Sequence, residues 1–337
     1  PLPDPVADRP RDARAEFRRH VEAEQLGPAQ AVLRGAIESG HTADDLRPWV
    51  TDVVSDHLLS YGHGAIYAQK AFQLLDRIGW DRADTVLPYL VPTIVYGTRE
   101  DKLPYMQLFH RGTRQLDLVR LAERAADADA NWSDDGRLLA ALLGPDRTEA
   151  ALATGAAIES GASLDAVLDV VSLAVSERML RYDPAGEFDF HDDFGWLDIT
   201  HGLTYANAAR WHLAHDEPSP DQVRLVLWTA FLANWTGRHE WHTRVGPRAE
   251  IEPRSTDLVA YGDSLQHEAL LDGTTAFIVH AHAIKTSVAA TEESVRLGVP
   301  TPLDAAARFL AAPKLERFVA STVTRSIDFL SGRAPRD

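Results

Sequence analysis

An internal echo constrains the fold of this chain more than any other feature. The string Ala36-Ile37-Glu38-Ser39-Gly40 recurs as Ala157-Ile158-Glu159-Ser160-Gly161. The register then holds: Ser55-Asp56 answers to Ser176-Glu177, Leu59 to Leu180 and Tyr61 to Tyr182. Upstream, Leu26-Gly27-Pro28 returns as Leu143-Gly144-Pro145. Downstream, His63-Gly64-Ala65-Ile66-Tyr67-Ala68 matches His201-Gly202-Leu203-Thr204-Tyr205-Ala206, after an insertion of 17 residues in the second copy. Val95-Tyr96-Gly97-Thr98-Arg99 is echoed once more by Asn234-Trp235-Thr236-Gly237-Arg238. Echoes in one order and nearly one register point to a duplicated unit. The repeats occupy 26–112 and 143–250, and a non-repeating segment, 251–337, follows. Two copies of one pattern are expected to face each other about a pseudo-twofold axis, in a single helical domain covering 1–337.

The pattern inside each repeat is helical. Apolar residues recur at spacings of three and four, the period of an amphipathic helix. Thr42 and Ser163 each precede such a run and are expected N-caps, with Asp45 placed to complete a capping box. Gly40 and Gly161 are expected to close the preceding helices. Leu225 to Ala233 is apolar all round and reads as a buried helix. Its counterpart, Val86 to Tyr96, contains Pro88 and Pro92 and could be extended taken alone; the repeat predicts a kinked helix. Period-two alternation and Asn-Gly hairpin turns are missing. The fold class is all-α, a compact multi-helix bundle.

Composition narrows the chemistry. Lys and Arg total 34 against 50 Asp and Glu, for a net charge of −16. So acidic a surface repels phosphate backbones, which argues against a nucleic-acid partner. No apolar run approaches the roughly 20 residues of a membrane span, and no signal peptide is evident. A cytoplasmic, bacterial protein is the expectation. Cysteine is absent. Disulfides, thiolate nucleophiles, zinc–thiolate sites and iron–sulfur clusters on this chain are thereby excluded.

The duplicated histidines are the leading functional candidates. His63 and His201 each open a helical segment, with Tyr67 and Tyr205 four residues on and so on the same face. Neutral imidazoles in helical bundles commonly hold iron, copper, manganese or zinc; the bland reading is a buried histidine donating to a backbone carbonyl. Asp56 and Glu177 occupy equivalent positions among apolar neighbours. If they point inward they are candidate ligands or bases; if outward, solvated groups or ion pairs with Arg178 or Arg181. In Phe277-Ile278-Val279-His280-Ala281-His282-Ala283-Ile284-Lys285 the two histidines diverge by about 200° on a helix, so one at most faces a given site. His282 and Lys285 share a face. His239 and His242 have a metal-compatible spacing of three, whereas His212 and His215 read as compensation of a helix C-terminus. Trp196, Trp228, Trp235 and Phe277 could line an apolar pocket. Phosphate loops, nucleophile elbows, zincin helices and dinucleotide fingerprints are absent.

Several blocks carry a resemblance. Ser60-Tyr61-Gly62-His63, Tyr67 to Phe72 and Tyr96 to Pro104 resemble a bacterial all-helical domain family often fused to Rieske-type ferredoxin modules. So do Ser176 to Asp183, Asp198 to Ala208 and His282 to Thr286. A more distant similarity is to questin-oxidase-like enzymes, which oxidise aromatic polyketides. The resemblance implies redox work. Because this chain has no cysteine, its electron donor would be a separate protein or small molecule.

The resulting expectation is a non-haem iron oxidoreductase, an oxygenase acting on a small aromatic or apolar metabolite. His63, His201, His282, Glu177 and Asp56 form its ligand set, with Tyr67, Tyr205 and Lys285 orienting substrate or moving protons. Zinc, copper or manganese are alternative metals. A zinc or acid–base hydrolase, lyase or cyclase is one rival, and a non-catalytic helical binding module is another.

Overall fold

The computed structural model describes residues 2–5, 13–188, 194–214, 217–241, 246–271, 273, 276–315, 323 and 326–332. Among them there is no sheet, only an isolated antiparallel bridge between Leu59 and Arg99. The helices in chain order are α1 (Ala13–Glu22), α2 (Leu26–Glu38), α3 (Ala43–Asp56), α4 (His63–Ile78), α5 (Ala83–Tyr96), α6 (Gln107–Thr113), α7 (Leu118–Ala126) and α8 (Arg137–Leu143). They continue with α9 (Arg147–Glu159), α10 (Leu164–Arg181), α11 (Trp196–Leu213), α12 (Pro220–Trp235), α13 (Leu258–Leu271), α14 (Phe277–Leu297) and α15 (Thr301–Ala311). No helix among the described residues is long and apolar enough to cross a membrane.

Local chemistry sets the helix ends. At α3 the Thr42 hydroxyl accepts from the Asp45 amide at 3.4 Å, and the Asp45 carboxylate accepts from the Thr42 amide at 2.7 Å. This is the expected capping box. Ser163 caps α10 by accepting from the Ala166 amide at 3.0 Å. Gly40 and Gly161 follow α2 and α9 with φ of +89° and +109°, a region that glycine enters without the Cβ penalty.

The chain falls into two compact units. The first comprises Pro1–Ser133, Arg147–Leu168 and Ala208–Phe231. In it α2 packs against α1 and α5, α4 against α5, and α6 against α9. Fully buried Phe17, Phe72, Leu87 and Phe109 form its core, each contributing about 1.5–3 kcal/mol. Helix α5 runs through both prolines. Pro92 has no N–H to give the Pro88 carbonyl, and the buried amide of Gln30 on α2 donates to that oxygen instead, at 2.8 Å. His212 is also buried here, against the Thr51 hydroxyl at 2.9 Å and the Ala65 carbonyl at 3.2 Å. Its imidazole is engaged in packing at the end of α11.

The second unit comprises Asp134–Asp146, Asp169–Asn207 and Leu232–Asp337. Helices α13, α14 and α15 pack on one another. Arg178 on α10 is fully buried, and its guanidinium donates to the carbonyls of Ala233 and Leu142, both at 2.9 Å, and to Glu240 at 2.8 Å. Burial lowers its pKa and the Glu240 carboxylate opposes that shift. Gly237 lies so close that a Cβ there would stand 1.9 Å from the guanidinium.

Candidate metal centre

Each candidate imidazole is oriented by a backbone carbonyl. His201 lies in the second turn of α11, not at its start, and its Nδ1 donates to the Leu197 carbonyl at 2.5 Å. His282 on α14 does the same to the Ile278 carbonyl at 2.6 Å. Both acceptors sit four residues back, on the face the ring covers. His63 is the first residue of α4 and has no helical residue four positions before it. Its Nδ1 meets the Ser60 carbonyl at 2.5 Å.

That carbonyl is positioned by an unusual turn. Ser60, Tyr61 and Gly62 have φ of 46°, 60° and 92°, three left-handed residues in succession. For the two non-glycine residues this costs about 1–2 kcal/mol each. The turn is fixed by the Ser60 amide, which donates to the Thr98 carbonyl at 2.7 Å, and by the Thr98 amide, which donates to the Ser60 hydroxyl at 2.9 Å. The glycines that follow His63 and His201 each have a packing reason. A Cβ at Gly64 would stand 2.9 Å from the Leu59 Cβ, and one at Gly202 would stand 2.8 Å from a Val175 methyl.

A carbonyl oxygen can only accept, so all three Nδ1 atoms carry a proton, and in the neutral ring each Nε2 then presents a lone pair. The Nε2 atoms of His201 and His282 are 3.3 Å apart. The ligating nitrogens of His63, His201 and His282 all lie within 4.8 Å of one another. His201 is 6% exposed and His282 2%, so water screens the pair poorly. Two acceptor nitrogens at that spacing repel unless a proton or a cation stands between them. Two nitrogens bound at about 2.1 Å to one tetrahedral metal lie about 3.4 Å apart, close to the observed separation. The arrangement can coordinate a metal ion.

Lys285 reaches the same place, with Nζ 3.2 Å from His201 Nε2. Burial alone pushes its ammonium down to about 7. Tyr205, one turn beyond His201, is 1% exposed; Tyr67, whose ring centroid is 5.3 Å from that of His63, is 46% exposed.

The carboxylates lie elsewhere and are not in the histidine cluster. Asp56 pairs with Arg18 and with Arg224, the latter at 2.8 Å, although burial raises its pKa. Glu177 pairs with Arg248 at 3.0 Å rather than with Arg178 or Arg181. The aromatics expected to share a pocket are dispersed. Phe277 is 90% exposed, the Trp228 indole donates to the Ser55 carbonyl, and Trp196 meets Tyr182 edge-on and Phe309 at a tilt. A cavity of about 650 Å³ is lined instead by polar groups of Arg254, Ser264, His267, Glu268 and Lys314 and by the apolar Leu271, Val279 and Leu310. The side chain of His239, and all of His242, His215 and the 189–193 part of the insertion, lie outside the described residues.

Sequence reasoning missed two features. The left-handed turn is signalled only by Gly62 next to His63. The Thr286 hydroxyl, one turn beyond His282, is buried without a hydrogen-bond partner. No protein-family model matches the chain, and neither does any curated protein or solved structure.

Proposed function

We propose that this chain is a metal-dependent enzyme in which His63, His201 and His282 hold one transition-metal ion through their Nε2 atoms. The observation that carries this reading is that each of the three imidazoles sets Nδ1 against a backbone carbonyl while their ligating nitrogens lie within 4.8 Å of one another. A divalent cation resolves the opposition of their lone pairs. Carbonyl anchoring of Nδ1 is also how metal-binding histidines are usually oriented.

Three protein ligands leave coordination positions open for substrate. We take iron as the metal and oxidation of a small apolar or aromatic metabolite as the reaction. Imidazole suits iron, and the resemblance to Rieske-linked and questin-oxidase-like families supports redox work. Lys285 would hold or move a proton beside His201, and Tyr205 would orient the substrate. Electrons would come from a separate donor.

A second reading, a zinc hydrolase or lyase, is favoured by a cluster that, among the described residues, holds no carboxylate. Three neutral ligands leave the metal its full charge, which acidifies bound water.

Elemental analysis of protein purified without chelators, before and after anaerobic reconstitution with iron(II), tests the proposal. Close to one equivalent of metal per chain is expected. Less than a tenth of an equivalent after reconstitution would end it. Oxygen uptake by the iron form, with candidate aromatic substrates, separates the redox reading from zinc-supported turnover under anaerobiosis.

A further inference from the structure

Several buried hydroxyls on the helices of this chain bond the carbonyl four residues back. Thr154 donates to Ala150 and Thr229 to Leu225 at 2.8 Å, Ser176 to Ser172 at 2.7 Å, and Thr204 to Thr200 at 3.1 Å. Ser55 on α3 and Thr286 on α14 depart from this pattern, and Thr286 is the one that stands on the helix of His282. It is 0% exposed, and its hydroxyl makes no hydrogen bond, with the His282 carbonyl or with any other group. Burying a hydroxyl that could bond its own helix and does not is destabilising. Such a group is explained when its partner is a ligand.

Its position says which ligand. Thr286 follows His282 by one helical turn and shares its face. Helical side chains lean toward the N-terminus, so the hydroxyl lies over the turn that carries His282. Lys285, the preceding residue, already reaches the His201 Nε2 atom at 3.2 Å. We propose that the Thr286 hydroxyl donates a hydrogen bond to an anionic oxygen, of the carboxylate or enolate class, that occupies the open side of the three-histidine centre. Thr286 then selects oxygen-donor ligands over neutral apolar ones. This rests on the metal-centre reading, and the experiment separates the two.

The test uses the full chain loaded with cobalt(II) as a spectroscopic metal, with acetate as the probe. Wild type, Thr286→Ser and Thr286→Val are compared by visible absorption. All three should bind one equivalent of cobalt. Acetate should perturb the spectrum of wild type and Thr286→Ser with similar affinity, and bind Thr286→Val about tenfold more weakly, the loss expected of one hydrogen bond to a charged group. The metal-free Thr286→Val protein should melt no lower than wild type, and by the same reasoning a few degrees higher. Equal acetate affinity in all three, or a metal-free Thr286→Val protein that melts well below wild type, would overturn the inference by making the hydroxyl structural. Failure of every form to bind cobalt defeats the metal-centre reading itself.

Discussion

His63 and the pair His201 and His282 reach the same tautomer by different routes. On α11 and α14 the proton on Nδ1 is fixed by regular helix geometry, through a carbonyl four residues back. At His63 the carbonyl belongs to Ser60, inside a turn with three successive left-handed residues. The first route comes with the helix. The second carries backbone strain, and strain of this kind persists only where surrounding structure over-determines it, commonly at functional sites. The contrast predicts a division of labour: the helical pair forms a rigid base, and His63 is the ligand whose position can be perturbed separately.

Replacing the ligands gives the largest effect. His201→Ala and His282→Ala should each weaken metal binding by about 100-fold or more, beyond the 10–100-fold typical of losing a residue that only orients a ligand. His63→Ala should lose a comparable amount if three imidazoles ligate. Competition titration with a chromogenic chelator measures all three. A His63→Ala protein that binds metal like wild type would reduce the centre to a two-histidine site and break the comparison.

An intermediate effect is expected at Gly62, whose φ of 92° no L side chain adopts comfortably. Gly62→Ala should cost about 1–2 kcal/mol of stability. It should also displace the Ser60 carbonyl from His63, weakening metal binding by about tenfold, the low end for a lost orienting contact. The His201–His282 pair should be untouched, so two nitrogen ligands should persist in the electron-spin-echo spectrum of a copper(II)-loaded sample. Loss of all histidine coupling would show that the turn supports the whole centre.

The helical period, the Thr42–Asp45 and Ser163 caps and the glycine stops were all legible, because each depends on residues within one turn of chain. His63 and His201 stood out through sequence surroundings that echo each other, and His282 through the helical face it shares with Lys285. The left-handed pair Ser60 and Tyr61 was not legible, since neither residue type advertises positive φ. Nor was the empty hydrogen-bonding capacity of Thr286, which depends on what its own helix fails to accept. Asp56 and Glu177 show the limit most clearly. Their apolar neighbours suggested an inward carboxylate, but what decides the matter is a guanidinium contributed from far along the chain. Arg224 lies 168 residues from Asp56, and Arg248 lies 71 residues from Glu177.

Those two carboxylates supply the smallest expected effect. Asp56→Asn keeps the shape and removes the charge facing Arg18 and Arg224, which should cost about 1 kcal/mol, the upper end for a largely surface pair. Glu177→Gln removes the partner of Arg248, a pair whose side chains are 47% and 27% exposed, and should cost a few tenths of a kcal/mol at most. Neither should change metal stoichiometry, because among the described residues the three imidazoles gather without a carboxylate. Chemical denaturation alongside metal analysis of both variants checks this. Loss of metal in Asp56→Asn or Glu177→Gln, with the fold intact, would mean that a carboxylate leaves its arginine to join the centre, and the contrast between helix-held and turn-held imidazoles would no longer describe the ligand set.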